Sequence, residues 1–157
     1  MNAPVFVSNS SPIIGFERLN ALDLLQQLTT TLHVPEAVRR EVFGARSAPD
    51  WIIVRSISQP LSSLSLSPRL GAGEREAIAL ALELQPRYLL LDDLAARRAA
   101  QSLNITVIGT VGLLILARQK ELVDALKPYL DSLLALDFRI SKTVYQLALR
   151  QVGEELN

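Results

Sequence analysis

A chain of 157 residues with 16 Lys+Arg against 16 Asp+Glu, one His and no Cys is about one domain long and carries no formal net charge. That composition excludes a disulfide scaffold, a thiolate metal site and any machinery built from several imidazoles, since His33 is the sole imidazole. Hydrophobic residues make up 49% of the chain, enough for one core, yet no apolar run approaches the roughly 20 residues of a membrane span.

Residues 4–9 read as a short buried strand that ends at Ser10-Ser11-Pro12, where a Ser N-cap and a Pro in the first turn start a helix. The helical pattern runs over residues 13–28 and breaks at Asn20. The β-branched stretch 29–34 predicts a second strand before Pro35, and a helix follows to Phe43, stopped by Gly44. Residues 51–57 suggest an edge strand. The Ser/Pro-rich stretch 59–69 is the one low-complexity segment and predicts a mobile loop. A long helix over 73–85 is closed by Pro86. The apolar run 88–93 ends in two carboxylates, and an Ala-rich helix spans 94–103. Residues 105–110 form the clearest strand pattern, followed by a helix over 111–120. Two last helices, about 123–136 and 141–152, complete the chain, with Pro128 demanding a kink or break.

Strands alternating with helices predict an α/β fold of three layers, α/β/α, with a mostly parallel central sheet and additional C-terminal helices. No linker divides the chain, so residues 1–157 read as one domain with a core of about 5–118 and a helical extension of about 121–157. In open α/β sheets ligands bind beyond the carboxyl ends of the strands. That edge collects Asn9, Ser10 and Ser11, then Asp92 and Asp93, then Gly109 and Thr110. Because a crossover helix runs antiparallel to its strands, the first-turn acids Glu74 and Glu76 of one helix, and Glu36 and Glu41 of another, are candidates for the same edge.

Oxygen-only ligands select a hard cation such as Mg²⁺ or Mn²⁺, which polarises a phosphodiester and acidifies bound water, so the chemistry implied is phosphate-ester hydrolysis. Each acid also has a purely structural role open to it. First-turn acids favour the helix dipole, and either Asp92 or Asp93 is placed to cap the helix that begins near Leu94. His33, inside a strand, reads as a packed or edge residue. Thirteen of the cations are Arg; Arg97 and Arg98, one turn past Asp93, are placed to pair with neighbouring acids or to meet a substrate phosphate.

The order of Val7-Ser-Asn-Ser-Ser-Pro-Ile-Ile14, Val34-Pro-Glu-Ala-Val-Arg-Arg-Glu-Val42, Gly73-Glu-Arg-Glu-Ala-Ile-Ala-Leu-Ala81, Leu89-Leu-Leu-Asp-Asp-Leu-Ala-Ala-Arg-Arg-Ala-Ala100 and Val107-Ile-Gly-Thr-Val-Gly-Leu-Leu114 resembles the PIN domain, the small nuclease of VapC-like toxins in toxin–antitoxin pairs, and more narrowly a prokaryotic PIN-like subgroup. The resemblance implies a Mg²⁺- or Mn²⁺-dependent ribonuclease with RNA as substrate and an antitoxin protein as partner. By position it places the acids of the pocket at Glu41, Glu74 and Asp93, with Asp92 an alternative by one residue. Asn9 falls where the family has its first acid, Ser10 or Ser11 matches the neighbouring hydroxyl, and Thr110 ends the next strand facing the pocket.

The departure is Asn9, where PIN nucleases normally carry Asp. A neutral carbonyl weakens a hard-cation site, so the rival reading is a weakened or inactive module that binds RNA or protein. Six leucines of the last two helices, Leu130, Leu133, Leu134, Leu136, Leu147 and Leu149, suggest a homodimer or higher homo-oligomer. The N-terminus lacks the basic and apolar regions of a secretory leader, and a cytoplasmic location with no membrane contact is expected.

Overall fold

Alternating apolar residues along very short strands bury both faces of one sheet. A computed structural model describes residues 3–61 and 64–154. Its strands are β1 (Phe6–Ser8), β2 (Leu32–Pro35), β3 (Ile52–Arg55), β4 (Tyr88–Leu90) and β5 (Val107–Ile108). They pair in parallel in the order β3-β2-β1-β4-β5, with Val7 beside His33 on one side and beside Leu89 on the other. Phe6, Leu32, Val34, Ile52 and Leu90 join one core cluster, whereas Val7, Leu89 and Leu91 join the other. Neighbouring residues of a strand thus serve opposite layers, as a parallel sheet covered on both sides requires.

Eight helices are described: α1 (Ser10–Arg18), α2 (Leu22–Thr29), α3 (Glu36–Phe43), α4 (Ala72–Leu84), α5 (Leu94–Ser102), α6 (Thr110–Gln119), α7 (Lys127–Ala135) and α8 (Lys142–Gln151). The three-layer α/β/α fold expected from the sequence is the fold found. Residues of α1, α2, α3, α6, α7 and α8 fill the cluster around Phe16, and those of α4 and α5 fill the one around Ile78. The break at Asn20 is real: this residue sits at φ 54° between α1 and α2. Gly44, at φ 58°, ends α3 in a conformation that costs a glycine nothing.

Three expectations need correction. The clearest strand pattern, residues 105–110, yields only the two-residue β5, because Gly109 and Thr110 already belong to the cap and first turn of α6. Of the kink or break expected at Pro128 the structure has the break, and the helix bound of 123 is what changes. This proline stands in the first turn of α7, where its missing N–H leaves no hydrogen bond unmade, and so α7 starts later than 123. Of the six leucines read as a self-association surface, Leu130, Leu133 and Leu149 lie in the chain's own core, and only Leu134 and Leu147 are well exposed. The loop of residues 59–69 is rooted by Ser58 N and Gln59 N, which donate to Glu83 Oε1 of α4; residues 62–63 within it lie outside the described part. Among the described residues no helix is long and apolar enough to cross a membrane.

Candidate active site

The chain winds from β1 outward to β3 and then returns to place β4 on the other side of β1, so the connections diverge between β1 and β4. A crevice opens at the carboxyl ends of strands that diverge in this way. Here it is a cleft of about 740 Å³, lined by Asn9, Ser10 and Ser11 after β1, Glu41 of α3, Gly71, Gly73 and Glu74 around the start of α4, and Asp92, Asp93 and Arg97 after β4. Its far wall comes from α6 and from the segment that joins α7 to α8.

Asn9 occupies the N-cap position of α1 with extended backbone, yet its side chain makes no capping bond. An Asn at this position ordinarily uses its carbonyl on the helix amides. Instead Asn9 is 6% exposed and its Oδ1 has no partner. A Cβ at Gly73 would collide with Glu41 Oε1 and stand 3.2 Å from Asn9 Oδ1. The missing side chain at residue 73 is therefore what lets both oxygens approach the first turn of α4. Ser10 Oγ donates to the other Glu41 oxygen at 3.1 Å and fixes the carboxylate from behind.

Glu74 folds back so that its Oε1 accepts Gly71 N at 3.0 Å. Burial pushes its pKa up, the Gly71 amide opposes this, and the charges of Asp93 and Glu41 push it up further. That coupling places Glu41, Glu74 and Asp93 in one electrostatic neighbourhood. Asp93 caps α5 through a single oxygen, Oδ2, which accepts Ala96 N at 2.9 Å.

Asp92 is held differently. Its oxygens accept Thr110 N at 2.7 Å, Thr110 Oγ1 at 2.8 Å and Ser11 Oγ at 2.8 Å. Thr110 is fully buried and does not line the cleft, so the expectation that it faces the pocket is corrected: it anchors Asp92 and ties β4 to α6. Ser11 serves the same carboxylate. Two other candidates leave the site altogether, since Glu36 pairs with Arg39 on the surface at 2.6 Å and Glu76 Oε1 accepts Ala37 N at the start of α3.

A family model described as a PIN domain matches residues 5–154. The chain belongs to the PIN-domain family. Comparison with curated proteins and with solved structures gives no match. The PIN domain is a nuclease fold, and its members generally use divalent metals. Among the described residues of this PIN domain, no three carboxylate or imidazole groups stand together as a ready-made cation cage. The donor set still suits a hard cation in kind: it consists of oxygens only, one of them the buried, unpartnered Asn9 Oδ1. Glu74 and Asp93 each accept a backbone N–H with one oxygen, and among the described residues the other oxygen of each takes no backbone N–H.

Sequence reasoning missed the far wall, where Asp137, Phe138, Arg139 and Val144 line the cleft. No periodicity marks residues 137–139, because they connect two helices, and Val144 lies in the first turn of α8. Gly73 and Gly109 were visible only as glycines; their role is the space they leave.

Proposed function

We propose that this PIN domain is a Mg²⁺- or Mn²⁺-dependent endoribonuclease whose centre is formed by Asn9, Glu41, Glu74 and Asp93. The observation that carries the proposal is that Asn9 Oδ1, buried and unpartnered, and Glu41 Oε1 both approach the space left by the missing side chain of Gly73, beside a Glu74 whose proton affinity is raised by burial and by its acid neighbours. A Mg²⁺ or Mn²⁺ ion bound there would supply the Lewis acidity that polarises a phosphodiester and lowers the pKa of a water. The chain's own residues do the positioning. Ser10 holds the Glu41 carboxylate, the Gly71 amide holds Glu74, and Thr110 with Ser11 holds Asp92 as the rigid floor of the cleft.

The same reading extends to the toxin half of a toxin–antitoxin pair acting on cytoplasmic RNA, supported by the likeness of the motif order to VapC-like toxins. Induced expression then arrests growth, and Glu41→Gln/Glu74→Gln does not. Asn9 favours a second reading, a module that binds RNA or a protein without cleaving, since an amide gives the site one charge fewer than Asp. Cleavage of a single-stranded RNA with Mn²⁺ and with EDTA separates the two. Metal-dependent cleavage that falls at least about a hundredfold in the double variant is the result expected of a lost metal site. RNA binding without cleavage, with activity appearing only in Asn9→Asp, would establish the second reading instead.

A further inference from the structure

Metal binding by the acids does not account for the two cations of the cleft, Arg97 and Arg139, of which only Arg97 is half-buried. Arg97, on α5 one turn past Asp93, is half-buried and lines the same cleft as Glu41, Glu74, Asp92 and Asp93. Its Nη1 stands 2.7 Å from the point where a Cβ of Gly109 would lie, and Asp92 Oδ1 stands 2.9 Å from that point. Guanidinium and carboxylate therefore flank a residue whose lack of a side chain admits both. Even so, among the described residues the Arg97 side chain forms no ion pair and no hydrogen bond. Arg39, Arg46 and Arg118, by contrast, each pair with a glutamate.

The reason lies in the neighbours. Asp92 is already taken by three donors from Thr110 and Ser11, and Asp93 is aimed at the amide of Ala96. A guanidinium that served only to offset acid charge would close onto the nearest carboxylate. One that is held beside acids with its planar fork of donors unspent is arranged for an oxyanion that arrives from outside. A polyanion entering this cleft meets several carboxylates, so an unspent guanidinium beside them decides where a phosphate comes to rest.

We infer that Arg97 is the phosphate anchor of the cleft, binding the non-bridging oxygens of a phosphodiester in single-stranded RNA and holding the strand against the acid cluster. The choice of RNA rests on the nuclease reading above; the anchoring itself needs neither cleavage nor metal. Arg98, the next residue, is exposed and does not line the cleft, and Arg139 lines it from an exposed connection. Arg98 is accordingly the internal control.

The test is fluorescence anisotropy of a labelled single-stranded RNA with the full chain in EDTA, titrated over salt. Arg97→Gln is expected to weaken binding about tenfold and to lower the slope of log affinity against log salt by about 0.7, the loss of one phosphate contact on a single strand. Arg97→Lys is expected to restore the slope but only part of the affinity, because a point charge lacks the two-pronged geometry. Arg98→Gln should change neither. Unchanged binding in Arg97→Gln, an equal loss in Arg98→Gln, or no binding by the unaltered chain would each overturn the inference. A chain that binds through Arg97 but never cleaves with Mn²⁺ upholds the anchor and removes the nuclease reading. Cleavage by Arg97→Gln at unchanged KM does the reverse.

Discussion

Asn9 is the residue on which the chemistry turns, because a carbonyl oxygen buried without a partner costs stability unless something meets it. Replacing it with Asp adds a charge beside Glu41 and within the field that already raises the Glu74 pKa. Asn9→Asp is therefore expected to melt lower than the unaltered chain in EDTA and to gain more on addition of Mn²⁺, a crossover read by thermal shift. The same neighbourhood sets a pH dependence. Because the folded-state pKa of Glu74 is raised, its ionisation disfavours the metal-free fold in full above that value, and the penalty fades as pH falls from there to the ordinary value near 4.5, below which it is gone. Glu74→Gln in EDTA should thus raise the unfolding midpoint at pH 7 and converge with the unaltered chain near pH 4. A stability gain that persisted unchanged at low pH would mean that burial and acid neighbours are not the cause. Gly73→Ala is a sharper steric probe: its methyl group takes the space of the Glu41 carboxylate, so cleavage should fall tenfold or more while far-UV circular dichroism stays native.

Element by element, the sequence was legible where local chemistry speaks alone. Asn20, Gly44 and Pro86 stop helices where they stand, and the residues after β1 and β4 reach the carboxyl edge as the topology requires. It was illegible where a residue serves a distant element. Glu76 has the look of a first-turn acid on its own helix but accepts an amide of α3, and Thr110 has the look of a pocket residue but locks Asp92. Nor does spacing reveal that Glu154 caps the start of α7. Its two oxygens accept Leu126 N at 2.6 Å and Lys127 N at 3.0 Å at the start of α7, and Arg118 of α6 lies 3.5 Å from one of them. Glu154→Ala is expected to cost about 1–2 kcal/mol, the range for a lost N-terminal cap, measured by urea unfolding. A loss within error would show that water replaces the carboxylate at those amides.

At the scale of the whole molecule, the last two helices share the core of the sheet rather than forming an outlying surface. Leu126, Leu130, Leu133, Ala148 and Leu149 are buried in the same cluster as Phe6, Ile13 and Leu90. Leu149→Ala should therefore destabilise the chain by about 2–5 kcal/mol, as cavity formation in a core does, and a cost under 1 kcal/mol would place α8 outside the cooperative unit. The same packing brings residues 137–144 over the cleft, so the extension that the sequence set apart supplies one of the site's walls. The equal totals of acid and base conceal this arrangement, since Glu41, Glu74, Asp92 and Asp93 gather in one crevice while Arg39, Arg46 and Arg118 pair with glutamates elsewhere.

The proposed cation site draws on Asn9 and Asp93, the N-caps of α1 and α5, and on Glu41 of α3 and Glu74 of α4. Isothermal calorimetry of Mn²⁺ with the full chain tests it most directly, alongside Glu41→Gln/Glu74→Gln, whose amides keep the shapes and the accepted hydrogen bonds while removing two charges. One Mn²⁺ per chain is expected, with affinity lost at least about a hundredfold in the double variant as the ligand charge falls. Equal Mn²⁺ binding by both proteins, or none by the unaltered chain, would contradict it.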